Sequence, residues 1–134
     1  MLEGIILKPN MVISGLSCPI QAGIGEVADA TIQCIRQLVP PAIGGIAFLS
    51  GGQTGRLASA HLNAMHARYA SKLPWPLTFS FARAIQQPAI KIWKGRDENV
   101  KAAQRALFHR AKCSQAARLG LYYEAMEEPE FIST

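Results

Sequence analysis

Lys8 is the first residue whose position suggests chemistry. It follows the apolar run Ile5–Leu7 and precedes Pro9, which cannot donate a backbone hydrogen bond and therefore ends a strand. A continuous apolar run predicts a strand covered on both faces, and the carboxyl ends of such strands carry the sites of parallel α/β folds. Partial burial there would favour the neutral amine, which can attack a carbonyl group. The alternative is a lysine that only extends from the strand end into water.

Two further groups follow the next two predicted strands. Ser50-Gly51-Gly52 comes directly after the apolar run 46–49, and paired glycines let consecutive backbone N–H groups face one anion. Ser80 and Arg83 stand at the end of the run 77–81, and a guanidinium group can bind phosphate through two hydrogen bonds. Taken singly, the glycines could form an ordinary turn and Arg83 could pair with a surface carboxylate. Together they fit the phosphate sites that β/α barrels form after consecutive strands.

The remaining candidates are weaker. Glu3 precedes Lys8 on the same segment, so it is either an ion-pair partner of the lysine or an exposed edge residue. His61, His66 and His109 lack the spacing of metal ligands, and His61 is expected to pack on a helix face. The three cysteines form no CxxC pair, so the sequence predicts neither a zinc site nor a disulfide framework, and the simplest account is reduced thiols in a cytoplasmic protein.

Composition limits the classes of partner. The chain has 134 residues and a net charge of +5, which favours anionic partners such as phosphorylated metabolites. Its basic residues form no run or stripe, which argues against nucleic acid. No apolar stretch approaches the roughly 20 residues of a membrane span, and no signal peptide is recognised at the N-terminus, so no membrane partner is expected.

Apolar periodicity places these groups on an α/β framework. Strands are predicted at 5–7, 46–49 and 77–81, and helices at 26–38, 57–69 and 98–117, with a short helical turn within 84–92. The expected inner face of the last helix is Val100, Ala103, Leu107, Ala111 and Ser114. Residues 1–121 therefore predict β/α units around a parallel sheet, followed by a loosely packed acidic tail at 122–134.

Long motifs in this chain resemble those of class I fructose-bisphosphate aldolases. The similar segments run in order along nearly the whole chain to about residue 115: LEGxxLKPNMV from Leu2, VPPA from Val39, FLSGGQ from Phe48, LNA from Leu62, PWxLTFSFxRA from Pro74, KxW from Lys91 and ENxKAAQ from Glu98. The resemblance implies the last three β/α units of a (β/α)₈ TIM barrel.

The resemblance also implies a function. It is reversible cleavage of fructose 1,6-bisphosphate, in glycolysis, to dihydroxyacetone phosphate and glyceraldehyde 3-phosphate, with no metal cofactor. Lys8 matches the Schiff-base lysine, Ser50, Gly51 and Gly52 match the loop that holds a phosphate, and Arg83 matches its arginine. Glu3 and Ser80 would act at most as supporting residues. A homo-oligomer is expected if a full barrel forms.

Some features depart from the family pattern. A complete barrel needs about 250 residues, and the acid and base carboxylates of the family lie on earlier strands. Ala82 stands where the family usually has glycine, which could crowd a backbone amide that approaches the phosphate. The chain is therefore expected to be the C-terminal portion of an aldolase, weakly active or inactive alone. The alternative is a non-catalytic partial barrel that binds sugar phosphate or acts as a structural partner.

Overall fold

Parallel strands and helices alternate along the chain, as the sequence predicts. The structure is a computed structural model and describes residues 1–128. Its elements are β1 (Ile6–Leu7), α1 (Ile24–Leu38), β2 (Gly45–Phe48), α2 (Gly55–Tyr69), β3 (Leu77–Phe79), α3 (Arg83–Trp93) and α4 (Val100–Arg118). Short 3₁₀ helices cover Leu2–Gly4, Ala70–Lys72, Asp97–Asn99 and Glu124–Glu127. The predicted α/β class is confirmed, and α3 is a full helix where only a short turn was predicted.

The sheet has the strand order β1-β2-β3, and both pairings are parallel. Leu7 is in register with Ile46, and Phe48 with Phe79. Parallel pairing brings the carboxyl ends of all three strands to one edge of the sheet, here called the carboxyl edge. The residues that follow each strand therefore meet at that edge.

The core lies between the central strand and the helices. Ile46 and Phe48 on β2 are completely buried, and Leu62 and Met65 on α2 and Ile32 on α1 pack in the same cluster. Apolar residues on α1 and α2 recur at helical spacing, so each helix contributes one buried stripe to this cluster.

The first strand differs from its prediction. Ile5 is 45% exposed and Ile6 is 62% exposed, so the expectation of a strand covered on both faces is wrong for the described chain. The physical reason is that β1 has only two residues and is an edge strand that pairs with β2 alone. Continuous apolar sequence indicates what a strand could bury, whereas actual burial depends on a neighbour.

The face that α4 buries also differs from its prediction. Leu107 and Ala111 are exposed, while Arg110, Cys113 and Ala117 are buried with Ala103 and Ser114. The spacing of apolar residues predicted the wrong inner face, because it does not reveal that Arg110 is buried. The Arg110 guanidinium group contacts Glu127 and Ser59.

The segment after α4 is anchored and not loosely packed, as far as the structure describes it. The Tyr122 backbone N–H donates to Asn63 Oδ1 at 3.0 Å, and its hydroxyl donates to Glu127 Oε1 at 2.8 Å. Glu127 also forms an ion pair with Arg110. The expectation of a loose tail is therefore wrong for 122–128, and its remainder, 129–134, lies outside the described residues.

Candidate functional site

The segment that carries Lys8 packs directly against the loop after β2. The Leu49 backbone N–H donates to the Pro9 carbonyl at 3.0 Å, which continues the β1-β2 pairing past Lys8. Further along, the Asn10 carboxamide lies so close to Gly51 that a Cβ on that glycine would overlap it. The structure thus brings the lysine segment and the glycine loop together at the carboxyl edge.

The loop has the conformation that its glycines permit. Gly51 has φ +57° and Gly52 has φ +85°, in the left-handed region that favours glycine. The Gln53 backbone N–H closes a turn on the Ser50 carbonyl at 3.0 Å, and Ser50 is buried. Ser50, Gly51 and Gly52 therefore form a tight loop between β2 and α2, as the sequence predicts. Their phosphate-binding role stays a prediction.

The end of β3 adds polar groups at the same edge. The Ser80 backbone N–H donates to the Phe48 carbonyl at 2.8 Å, which aligns Ser80 with the exit of β2. Arg83 is exposed and is the first residue of α3. A helix that begins at this edge directs free N–H groups and the positive end of its dipole towards it. Ala82 has φ −103°, so its side chain introduces no left-handed strain.

The exposure of Lys8 and of Glu3 decides between the alternatives that the sequence left open for each residue. The residue Lys8 is exposed, so the partial burial expected for it is wrong for the described chain, since β1 lacks a second neighbouring strand. The Glu3 carbonyl lies beside Gly44, at the amino end of the sheet. Among the described residues no ion pair joins Glu3 to Lys8, so the alternative of an exposed edge residue holds.

Sequence reasoning missed three residues that connect these segments: Asn10, Gln53 and His61. His61 Nδ1 lies 2.6 Å from Gln53 Oε1, and Gln53 Nε2 lies 3.6 Å from the Met11 sulfur. Burial lowers the pKa of His61, which favours a neutral ring. The expectation that His61 packs on the inner face of α2 is confirmed. Its contact with the loop had no signal in the sequence beyond the polar type of both residues.

Residues 1–128 contain no cluster of side chains suited to bind a metal ion. No group of three or more histidine, cysteine, aspartate or glutamate residues there is arranged to hold a metal ion. In the same range, no helix has both the length and the apolar character needed to cross a membrane.

The arrangement has one amine, a glycine loop and an arginine collected at the carboxyl edge of a parallel sheet. These features define a class: a β/α protein with a parallel sheet whose strand ends carry polar residues. A family model described as class-I fructose-bisphosphate aldolase matches residues 1–132. The chain belongs to that family.

Similar proteins support this membership. The chain is 48% identical over 122 residues to the fructose-bisphosphate aldolase of Dictyostelium discoideum, covering 91% of this chain and 34% of that relative. It is 52% identical over 120 residues to a probable class 1 aldolase of Xanthomonas axonopodis pv. citri, covering 89% and 35%. The chain thus spans about a third of the length of these relatives.

A solved structure shares the fold. The fructose-bisphosphate aldolase of Plasmodium falciparum, determined in complex with TRAP and a small-molecule inhibitor, superimposes with a TM-score of 0.83 at 40% identity. The match covers 89% of this chain and 34% of that one. The predicted family and the predicted partial α/β barrel are therefore confirmed.

Proposed function

We propose that this chain carries the Schiff-base part of a class I fructose-bisphosphate aldolase site. The Lys8 amine would condense with the C2 carbonyl of a ketose phosphate, forming a C=N bond and releasing water. Ser50, Gly51, Gly52 and Arg83 would hold the phosphate group. The observation that carries the proposal is the packing of the Lys8–Asn10 segment on the Ser50–Gln53 loop.

The full reaction needs a further step. Once protonated, the imine accepts the electron pair of the C3–C4 bond of fructose 1,6-bisphosphate, while a base removes the proton of the C4 hydroxyl group. Glyceraldehyde 3-phosphate leaves and an enamine remains on Lys8. An acid protonates the enamine at C3 to restore the iminium, and its hydrolysis frees dihydroxyacetone phosphate and the Lys8 amine. The iminium acts as the electron sink, so the proposed route uses no metal or other cofactor. The acid and base groups that the family resemblance assigns to earlier strands would have to come from outside these 134 residues.

The polypeptide of 134 residues should therefore form the imine but cleave fructose 1,6-bisphosphate poorly on its own. We propose a cytoplasmic location on the basis of the unpaired cysteines. Among the relatives, one from Chlamydomonas reinhardtii is named as chloroplastic, so location varies within the family.

Borohydride trapping with dihydroxyacetone phosphate tests this function. We expect reduction to convert the imine into a stable secondary amine on Lys8, read by intact mass and peptide mapping. Lys8→Ala should abolish the adduct. Lys72→Ala is the matched control, because Lys72 is exposed but precedes β3 and lies away from the carboxyl edge. Its adduct yield should equal that of the unmodified chain.

Two results would contradict the proposal. If the folded chain gives no adduct, the lysine is not activated, and a non-catalytic partial barrel becomes the better account. Equal labelling in Lys8→Ala would show that other amines react without a site. Efficient turnover of fructose 1,6-bisphosphate by the 134-residue chain would instead overturn the need for acid and base groups from elsewhere.

A further inference from the structure

His61 is a buried polar residue with one specific hydrogen bond. It lies on α2 and is 5% exposed, within the helix that directly follows the Ser50–Gln53 loop. Its Nδ1 is 2.6 Å from Gln53 Oε1. Its Nε2 is buried and has no hydrogen-bond partner in the described part of the chain. Within residues 1–128 the Gln53 contact is therefore the one hydrogen bond of this ring, and burial makes it costly to lose.

The contacts of Gln53 define the direction of that bond. The Met11 sulfur accepts but does not donate, so the amide nitrogen of Gln53 faces Met11 at 3.6 Å and its oxygen faces His61. His61 must then donate from Nδ1, and Nε2 is the unprotonated nitrogen. The neutral ring favoured by burial matches this tautomer. The orientation of the Gln53 carboxamide is thus set from both ends.

Gln53 connects the two segments of the site. Its backbone N–H closes the turn on Ser50, while its side chain reaches the buried side chain of Met11. Met11 follows Lys8, Pro9 and Asn10 on the lysine segment, and the Met11 backbone N–H donates to Asn10 Oδ1 at 2.9 Å. The Asn10 carboxamide in turn abuts Gly51. A shift of Gln53 would therefore alter the loop and the lysine segment together.

We propose that His61 is a positioning residue for the Lys8 site, which holds the Ser50–Gln53 loop against the Lys8–Met11 segment through the Gln53 carboxamide. This inference rests on the function proposed above and deepens it. It gives His61, a residue on α2, the role of setting the distance between the Lys8 amine and the phosphate loop. His61 is buried beneath the loop and contacts Gln53. It acts through Gln53, and a small displacement of a positioned group is enough to weaken a site.

Amide hydrogen exchange gives a test that does not depend on activity. The reporters are the N–H groups of Leu49, Gln53 and Met11, which are hydrogen bonded where the two segments meet. His61→Leu removes the donor at similar volume, and these amides should exchange about tenfold faster, as for loss of one side-chain hydrogen bond. His61→Asn keeps a donor near the position of Nδ1 and should restore slow exchange.

Borohydride trapping on Lys8 gives a second measurement. In His61→Leu, the concentration of dihydroxyacetone phosphate that gives half-maximal adduct should rise about tenfold, and His61→Asn should restore it. His66→Leu is the control, because His66 lies on the same helix but contacts the Leu77 carbonyl at 3.1 Å. His66→Leu should leave both the amide exchange rates and the half-maximal concentration as in the unmodified chain.

Gln53→Met removes the acceptor from the loop side and keeps His61. It covers the case in which His61→Leu does not fold, and it should reproduce both changes. Adding His61→Leu to Gln53→Met should give little further effect if the two side chains act as one unit.

The outcomes separate this inference from the proposed function. If exchange responds as expected but the unmodified chain forms no adduct, His61 positions the loop and the aldolase proposal fails. Unchanged exchange and unchanged half-saturation in both His61→Leu and Gln53→Met would overturn the positioning role. Failure of His61→Asn to restore slow exchange, or the same change in His66→Leu, would show that packing alone explains His61.

Discussion

At the scale of single residues, the site depends on groups at the strand ends and on the contact between α2 and the loop after β2. Lys8, Ser50 and Arg83 were found because each stands where a strand ends, and the parallel sheet confirms that these ends share one edge. The exposure of Lys8 could not be predicted, because it depends on which strands flank β1. The roles of Gln53 and His61 were also out of reach, since a helix residue and a loop residue meet only once α2 has packed.

The two histidines of α2 predict a pH dependence of stability. Burial lowers the pKa of both His61 and His66 relative to the ordinary value of 6.5. Below pH 6.5 the unfolded chain takes up protons that the folded chain does not, so the free energy of unfolding decreases as the pH falls. The free energy of unfolding should therefore be unaffected by these histidines above pH 6.5. It should decrease as the pH falls from 6.5 towards their lowered pKa values.

Urea unfolding at pH 7.5 and at pH 5.5 measures this effect. The midpoint for the unmodified chain should be lower at pH 5.5. His61→Asn combined with His66→Asn should flatten the difference, because asparagine does not titrate. The same difference in the double variant would assign the pH dependence to other groups and contradict the prediction.

At the scale of elements, local patterns located the helices well and their partners less well. The predicted helix 26–38 corresponds to α1 at Ile24–Leu38, and 57–69 corresponds to α2 at Gly55–Tyr69. Helix α2 begins two residues earlier than predicted, because Thr54 caps its N-terminus. The Thr54 hydroxyl accepts a hydrogen bond from the Leu57 N–H at 3.2 Å. The anchoring of the tail was missed because it joins Arg110 to Glu127, and a pairing between separate elements leaves no periodic signal.

The contact between α4 and the tail predicts a substitution effect. Arg110 is buried, forms an ion pair with Glu127 and donates from Nη2 to Ser59 Oγ at 3.1 Å. Glu127→Ala would leave the guanidinium group buried without its carboxylate. We expect the free energy of unfolding to fall by about 2–3 kcal/mol, below the range for fully buried pairs because Glu127 retains some exposure.

Urea unfolding checks this value, with Glu128→Ala as the matched control because Glu128 is exposed. Limited proteolysis adds a local reading, since the segment around Tyr122 should become more susceptible in Glu127→Ala. Equal stability of the two variants would show that the ion pair does not anchor the tail.

At the scale of the whole molecule, the described sheet has an open side. Its first strand pairs on one side only, and Ile5 and Ile6 are 45% and 62% exposed. In the family to which the chain belongs, relatives extend to about three times the matched length. An apolar edge strand with free backbone groups is a surface on which another strand can pair.

The open edge predicts self-association of the 134-residue polypeptide, in which apolar edges of β1 would meet. Ile6→Lys places a charge on that edge and should raise the concentration at which association begins by about tenfold, because edge lysines oppose strand pairing. Leu38→Lys is the matched control, since Leu38 is 75% exposed but lies at the end of α1. Sedimentation velocity over a range of concentrations measures the effect. A monomer at every concentration, or equal shifts in the two variants, would mean that the edge of β1 does not drive association.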